Sequence, residues 1–318
     1  MRCAHGAGFL IVSVCLRAAG GPLNCEDVDA GVEWVLHADI EKLRAAEVGS
    51  LLLKRMETAD GAKQLAALHE LFNFDPRKDL DSVTAYGRAS VKGENHGVLL
   101  VRGKFDTERL LALLRVSDEY EARQCGGRTV HGWIDAKARA RAIARGEAPK
   151  KTYGCLFNEK LVVLGGSVED VERAIGILER QQPSLRDSDL GKEFAALPAD
   201  ALLVCVARFR NTEQADVAAT VLRAAKKISF WLSENEGFLR GSFTCATGTG
   251  EEADALKKIV EGMLTLTILN ADKDPVAAGF ARHVSVTIEG RKLTGQLSYP
   301  VEQLKADLEA AVGAQRAG

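Results

Sequence analysis

The chain has 318 residues, 46% of them hydrophobic and 27% charged, which is enough apolar side chain for one large core or two ordinary ones and excludes disorder, collagen and coiled coil. Lys and Arg total 42 against 44 Asp and Glu, a net charge of -2, so there is neither a whole-protein basic surface for nucleic acid nor an acidic tail. No apolar run reaches the roughly 20 residues that a membrane-spanning helix needs, and no transmembrane span is expected.

The N-terminus comes first in chain order. Arg2 precedes the apolar run Gly6–Leu16, and the small residues Ala18, Ala19 and Gly20 follow, the order of a secretory signal. Residues 1–20 are therefore predicted to be a signal peptide cleaved after Gly20, which places the mature chain outside the cytoplasm, in a periplasm or secreted. Of the 7 cysteines, Cys3 and Cys15 leave with that segment. Cys25, Cys125, Cys155, Cys205 and Cys245 stay, an odd set in which Cys125 and Cys155 form the first pair to check for a bridge.

Hydrophobic periodicity then predicts a strand over 32–36 and helices over 40–56 and 62–72. Strands over 82–90 and 97–104 pair across Lys92-Gly93-Glu94-Asn95, and a helix over 107–115 starts from Asp106. Hairpins over 120–133 and 152–164 turn at Gly126-Gly127 and at Asn158-Glu159-Lys160, before a helix over 168–180 capped by Ser167. The second half repeats this grammar with a strand over 201–207, a helix over 212–226 and a hairpin over 227–244. A helix over 251–264, a hairpin over 284–299 and a helix over 301–312 complete it.

Hairpins imply antiparallel sheet, and alternation such as Val284, Val286 and Ile288 leaves one face apolar. The expected fold class is α+β: two related halves of antiparallel strands, with amphipathic helices covering one sheet face. The first repeat spans 30–182 and carries a basic insert over 135–151; the second spans 199–312. Pro183, Ser184 and Pro198 interrupt the periodicity between them.

Four strings, Phe72-Asn73-Phe74-Asp75-Pro76, Asp79-Leu80-Asp81-Ser82-Val83, Arg102-Gly103-Lys104-Phe105-Asp106 and Val130-His131-Gly132-Trp133, resemble a family of exported bacterial proteins that carry a domain of unknown function. The resemblance is clearest over 30–180 and looser toward 310. It implies export and a two-lobed α+β fold, and it carries no activity, ligand or catalytic residue with it.

Several fragments imitate chemistry. Gly248-Thr249-Gly250-Glu251-Glu252-Ala253 fits G-x-G-x-x-A, but Glu251 and Glu252 put negative charge where a pyrophosphate would sit, so an ordinary capped turn is expected. His69-Glu70-Leu71-Phe72-Asn73 begins like a zinc motif and lacks its second imidazole. His37, His96, His131 and His283 stand far apart. No catalytic residue, cofactor or metal is assigned.

The compositional anomaly is the insert, where Lys137, Arg139, Arg141, Arg145, Lys150 and Lys151 face only Asp135 and Glu147. Those six cations are the candidate contacts for an anionic partner, an envelope component or a protein; without interleaved aromatics they do not suggest nucleic acid. The favoured reading is a noncatalytic exported binding or envelope-interaction protein. The alternative is a hydrolase or other enzyme with a dispersed site, for which His131, Cys125 and Asp39 are the candidate participants.

Overall fold

β1 (Trp34–Asp39) ends where the Asp39 carboxylate accepts the Lys42 amide at 3.0 Å and so caps α1 (Ile40–Ala45). The helix expected over 40–56 is in fact two. At Ala46 the backbone is extended, and α2 (Glu47–Met56) starts afresh because Glu234 accepts the amides of Glu47 and Val48, each at 2.7 Å. A carboxylate brought from a distant strand thus supplies the cap that the local sequence lacks. The computed structural model describes residues 21, 23–56, 59–88, 97–117, 119–209 and 225–317.

From there the chain runs through α3 (Ala59–Phe72), α4 (Pro76–Asp79), β2 (Leu80–Gly87), β3 (Gly97–Gly103) and α5 (Thr107–Arg115). β4 (Glu121–Cys125) and β5 (Arg128–Trp133) pair across Gly126 and Gly127, whose φ angles of +58° and +80° are ones that glycine adopts without strain. α6 (Ala136–Ala144), β6 (Thr152–Asn158), β7 (Leu161–Gly165), α7 (Val168–Leu178) and α8 (Asp189–Ala195) complete the first half. The second contains β8 (Leu203–Arg208), β9 (Ala225–Asn235), β10 (Phe238–Thr247), α9 (Gly250–Leu269), α10 (Pro275–Arg282), β11 (Val284–Glu289), β12 (Lys292–Pro300) and α11 (Val301–Ala317). The helix expected over 212–226 lies outside the described residues up to 224, and its last two residues, Ala225 and Lys226, open β9 instead.

All the described strands join one antiparallel sheet of 12, ordered β11-β12-β10-β9-β8-β1-β2-β3-β7-β6-β5-β4. β1 and β8 pair at its centre, Val35 opposite Val206. Read outward from that pair, β1-β2-β3-β7-β6 and β8-β9-β10-β12-β11 follow the same connectivity, and β4–β5 is an added hairpin at one edge. The α+β class and the antiparallel pairing are thus observed, within a single sheet.

Alternation sends side chains to two faces. Val35, Leu100, Val163 and Val206 go to one, into a core closed by Val171 and Ile175 of α7. On the opposite face Leu239 and Tyr299 pack with Leu304 of α11, and Cys245 and Leu293 with Leu256 of α9. α3 and α5 lie over the opposite face of β3 and β7 from α7, so the sheet carries helices on both sides in the first half.

The stretch between the halves belongs to the core. Leu185, Leu190 and Phe194 are buried with Val35 and Val206, because their spacing turns one apolar side of α8 and the turn before it onto the sheet. An N-terminal strap holds this stretch down: Val28 is fully buried, its carbonyl accepts the Leu185 amide at 2.7 Å, and Ala30 donates to the Pro183 carbonyl at 3.2 Å.

Two buried carboxylates rivet the strap. Asp27 meets Arg102 at 2.6 Å and Arg180 at 3.0 Å, while Asp29 meets Arg88 at 3.2 Å and is gripped by Arg173. Burial disfavours the Asp29 charge, yet the hydrogen bonds from Arg173 and the Gly31 amide, with the charges of Arg173 and Arg88, hold its carboxyl below the usual range. A carboxyl lowered in the folded state contributes stability that is complete above its unfolded value of about 4 and fades as pH falls through the folded one. Urea unfolding of wild type and Asp29→Asn should therefore show a gap that is full at pH 6 and shrinks steadily below pH ~4. A gap independent of pH would remove the ion pair from the account of the strap.

Candidate functional site

β3, β7, β6 and β5 form a floor on the face opposite α7. Register sets it: Val101 lies opposite Val162, Val162 opposite Leu156, Leu164 opposite Gly154, and Gly154 opposite His131. α5 roofs the floor with Leu110, Leu113 and Leu114, and α3 walls it with Leu68 and Phe72. Stacked Phe74 and Phe105, with ring centroids 5.4 Å apart, close one corner. Glycine at 154 matters here because a Cβ would stand 3.1 Å from the indole of Trp133, which shares the lining.

Between floor and roof lies a cavity of about 700 Å³, within the range of ~300–1,000 Å³ typical of small-molecule sites. This explains a peculiarity of α5: it is strongly amphipathic and yet has no fully buried residue, since its leucines face a cavity rather than other side chains. Val116, at the lip, is 80% exposed although it belongs to the lining.

The polar and charged side chains of the lining include Ser117, His131, Asp135 and Arg139. His131 is 6% exposed; its Nδ1 lies 2.9 Å from the Tyr120 hydroxyl, and the two rings stack at 5.9 Å. Burial first, and the charge of Arg115 second, lower its pKa, so the imidazole is neutral at physiological pH. A neutral imidazole beside a phenol can orient the polar group of a ligand without placing a charge in the apolar site.

The basic insert is drawn into this site in part. Asp135 accepts the Ala138 amide at 2.8 Å and so starts α6, whose Ala136 and Arg139 form a wall of the cavity. Arg139 pairs with Glu119 at 3.0 Å and Lys151 with Glu121 at 3.1 Å. Arg141, Arg145 and Lys150 are exposed. Lys137 sits in α6, with its side chain outside the described residues.

The remaining candidates do not converge. Asp39 caps α1 and pairs with Lys42 at 3.1 Å, while Cys125 is buried among Val130 and Cys155 on the face of the sheet opposite His131. Among the described residues the cysteines Cys25, Cys125, Cys155, Cys205 and Cys245 are free thiols, and burial pushes Cys155 up to about 11. His37 contacts the Thr84 hydroxyl at 2.9 Å and the Gly21 carbonyl at 3.2 Å; His283 contacts the Gly279 carbonyl at 2.8 Å; His96 lies outside the described residues. Among the described residues no group of three His, Cys, Asp or Glu is placed to hold a metal ion.

The glycine string at 248 is a capped turn. Thr249 accepts the Glu252 amide at 3.1 Å, and Glu252 returns its carboxylate to the amides of Gly248 and Thr249, occupying the donors that a phosphate would need. The cavity itself escaped sequence reasoning. Its one legible trace is the row Leu110, Leu113 and Leu114 behind the aromatic pair Phe74 and Phe105.

No protein-family model matches the chain, and no curated protein does. Among solved structures it is similar to crystal form III of TP0453, with a TM-score of 0.48, 10% identity, and 92% of this chain and 97% of that chain covered. Crystal form I of TP0453 gives 0.45 at 9% identity, over 90% and 96% of the two chains. No helix among the described residues is long and apolar enough to cross a membrane.

Proposed function

We propose that this chain is an exported, duplicated α+β binding protein whose ligand is a small apolar or amphiphilic molecule seated between α3, α5, α6 and the sheet. The observation that carries the reading is the cavity, whose floor and roof are aliphatic and aromatic and whose lining includes few polar side chains. Such a lining favours apolar surface by roughly 25 cal/mol per Å² removed from water, while a small number of polar groups fixes orientation. Export rests on Arg2, Gly6–Leu16 and Ala18–Gly20, and on the resemblance to exported bacterial proteins.

Filling the cavity tests the reading. Leu164→Trp projects an indole from the floor into space that the structure leaves for it, so folding should be little changed and binding blocked. With anilinonaphthalene sulfonate as the probe, the wild type should take it up saturably and Leu164→Trp at least about tenfold more weakly, the cost of losing roughly 1.4 kcal/mol of contact. Native mass spectrometry of protein purified from its host should show a bound organic mass in wild type alone. Equal probe binding by both proteins, with no bound mass in either, would sink the proposal.

A further inference from the structure

We propose that the mouth of the cavity docks on an anionic lipid bilayer, through the lip formed by Val116 and α6, so that the ligand passes between membrane and cavity. The inference rests on the apolar-ligand reading for its purpose and on separate observations for its surface.

The first observation is apolar exposure at the opening. Val116 lines the cavity and is 80% exposed; Ile143, one turn beyond Arg139 on the face of α6 that lines the cavity, is 65% exposed. Removing this apolar surface from water against an apolar phase would be favourable. The second observation is charge. Arg141, Arg145 and Lys150 are exposed within α6 and the turn after it, where Glu147 is the one acidic neighbour, and among the described residues none of the three forms an ion pair. Arg139 and Lys151, committed to Glu119 and Glu121, add nothing to this count.

A lip that offers Val116 and Ile143, with cations on the other side of α6, matches the chemistry of a bilayer surface, where the apolar groups enter the acyl boundary and the cations meet anionic headgroups. A protein partner would need a shaped counter-surface. A bilayer needs only depth and charge, which two isolated apolar residues and three flexible cations can satisfy. α6 is 9 residues long and contains the sequence Ala-Lys-Ala-Arg-Ala-Arg-Ala-Ile-Ala, too short and too charged to span, so the contact is peripheral. It also sits at the cavity wall, which places a lipid chain lifted from the bilayer next to Leu113 and Leu114.

The test is flotation of the full chain with phosphatidylcholine vesicles, with and without phosphatidylglycerol, across a salt series. Wild type should float with the anionic vesicles and not the neutral ones, and its binding should weaken with salt, since surface charges are screened beyond about 8 Å at physiological ionic strength. Replacing Arg141, Arg145 and Lys150 together by Gln should weaken binding about a hundredfold, at about a factor of five for each cation. The pair Val116→Ser and Ile143→Ser should leave the salt-sensitive part and remove the part that persists at high salt. All five positions are exposed, so the fold should tolerate these changes; a far-ultraviolet spectrum checks this, and the single change Arg145→Gln, about fivefold, serves if the triple variant fails to fold.

Leu164→Trp separates the two ideas. If the cavity takes no ligand, the docking surface still floats with anionic vesicles, and if docking is absent, probe uptake still distinguishes Leu164→Trp from wild type. Equal binding to neutral and anionic vesicles, or no loss in the cation variant, overturns docking. So does a change of oligomeric state in the Val116 and Ile143 variant without vesicle binding, which would assign the lip to a second copy of the chain.

Discussion

Leu185→Ala should destabilise the whole protein by about 2–5 kcal/mol, the range for deleting a fully buried leucine whose surroundings relax only in part. Leu185 is completely buried, its amide is bonded to Val28, and its neighbours Leu190 and Phe194 touch the same core as strands of both halves. The loss should therefore fall on one cooperative transition. Trp34 in β1, Trp133 in β5 and Trp231 in β9 report on different parts of the sheet, and their combined fluorescence should move with the far-ultraviolet signal in urea. Two separated transitions, only one of them shifted, would show that the halves unfold as independent lobes despite their shared sheet.

Gly279→Ala should cost about 1–3 kcal/mol, because a methyl group at that position enters a fully occupied space. A Cβ on Gly279 would overlap the Tyr299 hydroxyl and the Asp307 carboxylate, which are hydrogen-bonded to each other. Burial, followed by the hydrogen bond and charge of Asp307, raises the Tyr299 pKa, so the phenol stays protonated and keeps donating. The ring has no room to retreat: His283 stacks on it at 4.4 Å and Phe280 meets it edge-on at 5.0 Å. Tyr299→Phe removes the overlapping oxygen and frees Asp307, which is only half-buried, to turn toward water. The double variant should therefore be more stable than the sum of the two single losses predicts, with a coupling of about 1 kcal/mol or more in urea titrations. Strict additivity would mean that the clash is relieved elsewhere, by movement of α10.

These two sites differ in how far they could be read beforehand. Tyr299 sits in a strand whose alternation, Leu293, Leu297 and Tyr299, is plain in the sequence, and only the helix above it, α10, went unpredicted. Leu185 lies among Pro183, Ser184 and Pro198, which read as a break between repeats. Prolines and serines report local backbone preference. They say nothing of whether the leucine between them finds a core.

The same division runs through the whole molecule. The hairpins at Gly126-Gly127 and over 284–299, the caps Asp106 and Ser167, and the amphipathic α7 were legible because the interactions that make them lie within a few residues along the chain. The sequence by itself therefore determined the α+β class and the antiparallel pairing. Tertiary structure alone decided that the halves join through β1 and β8, that Glu234 starts α2 from a distant strand, that α7 and α5 take opposite faces, and that α5 stands over a cavity. Amphipathic periodicity shows that a helix has an apolar side, but not which surface will cover it or how closely. Those choices are made by burial between residues far apart in sequence, and the candidate site is their product.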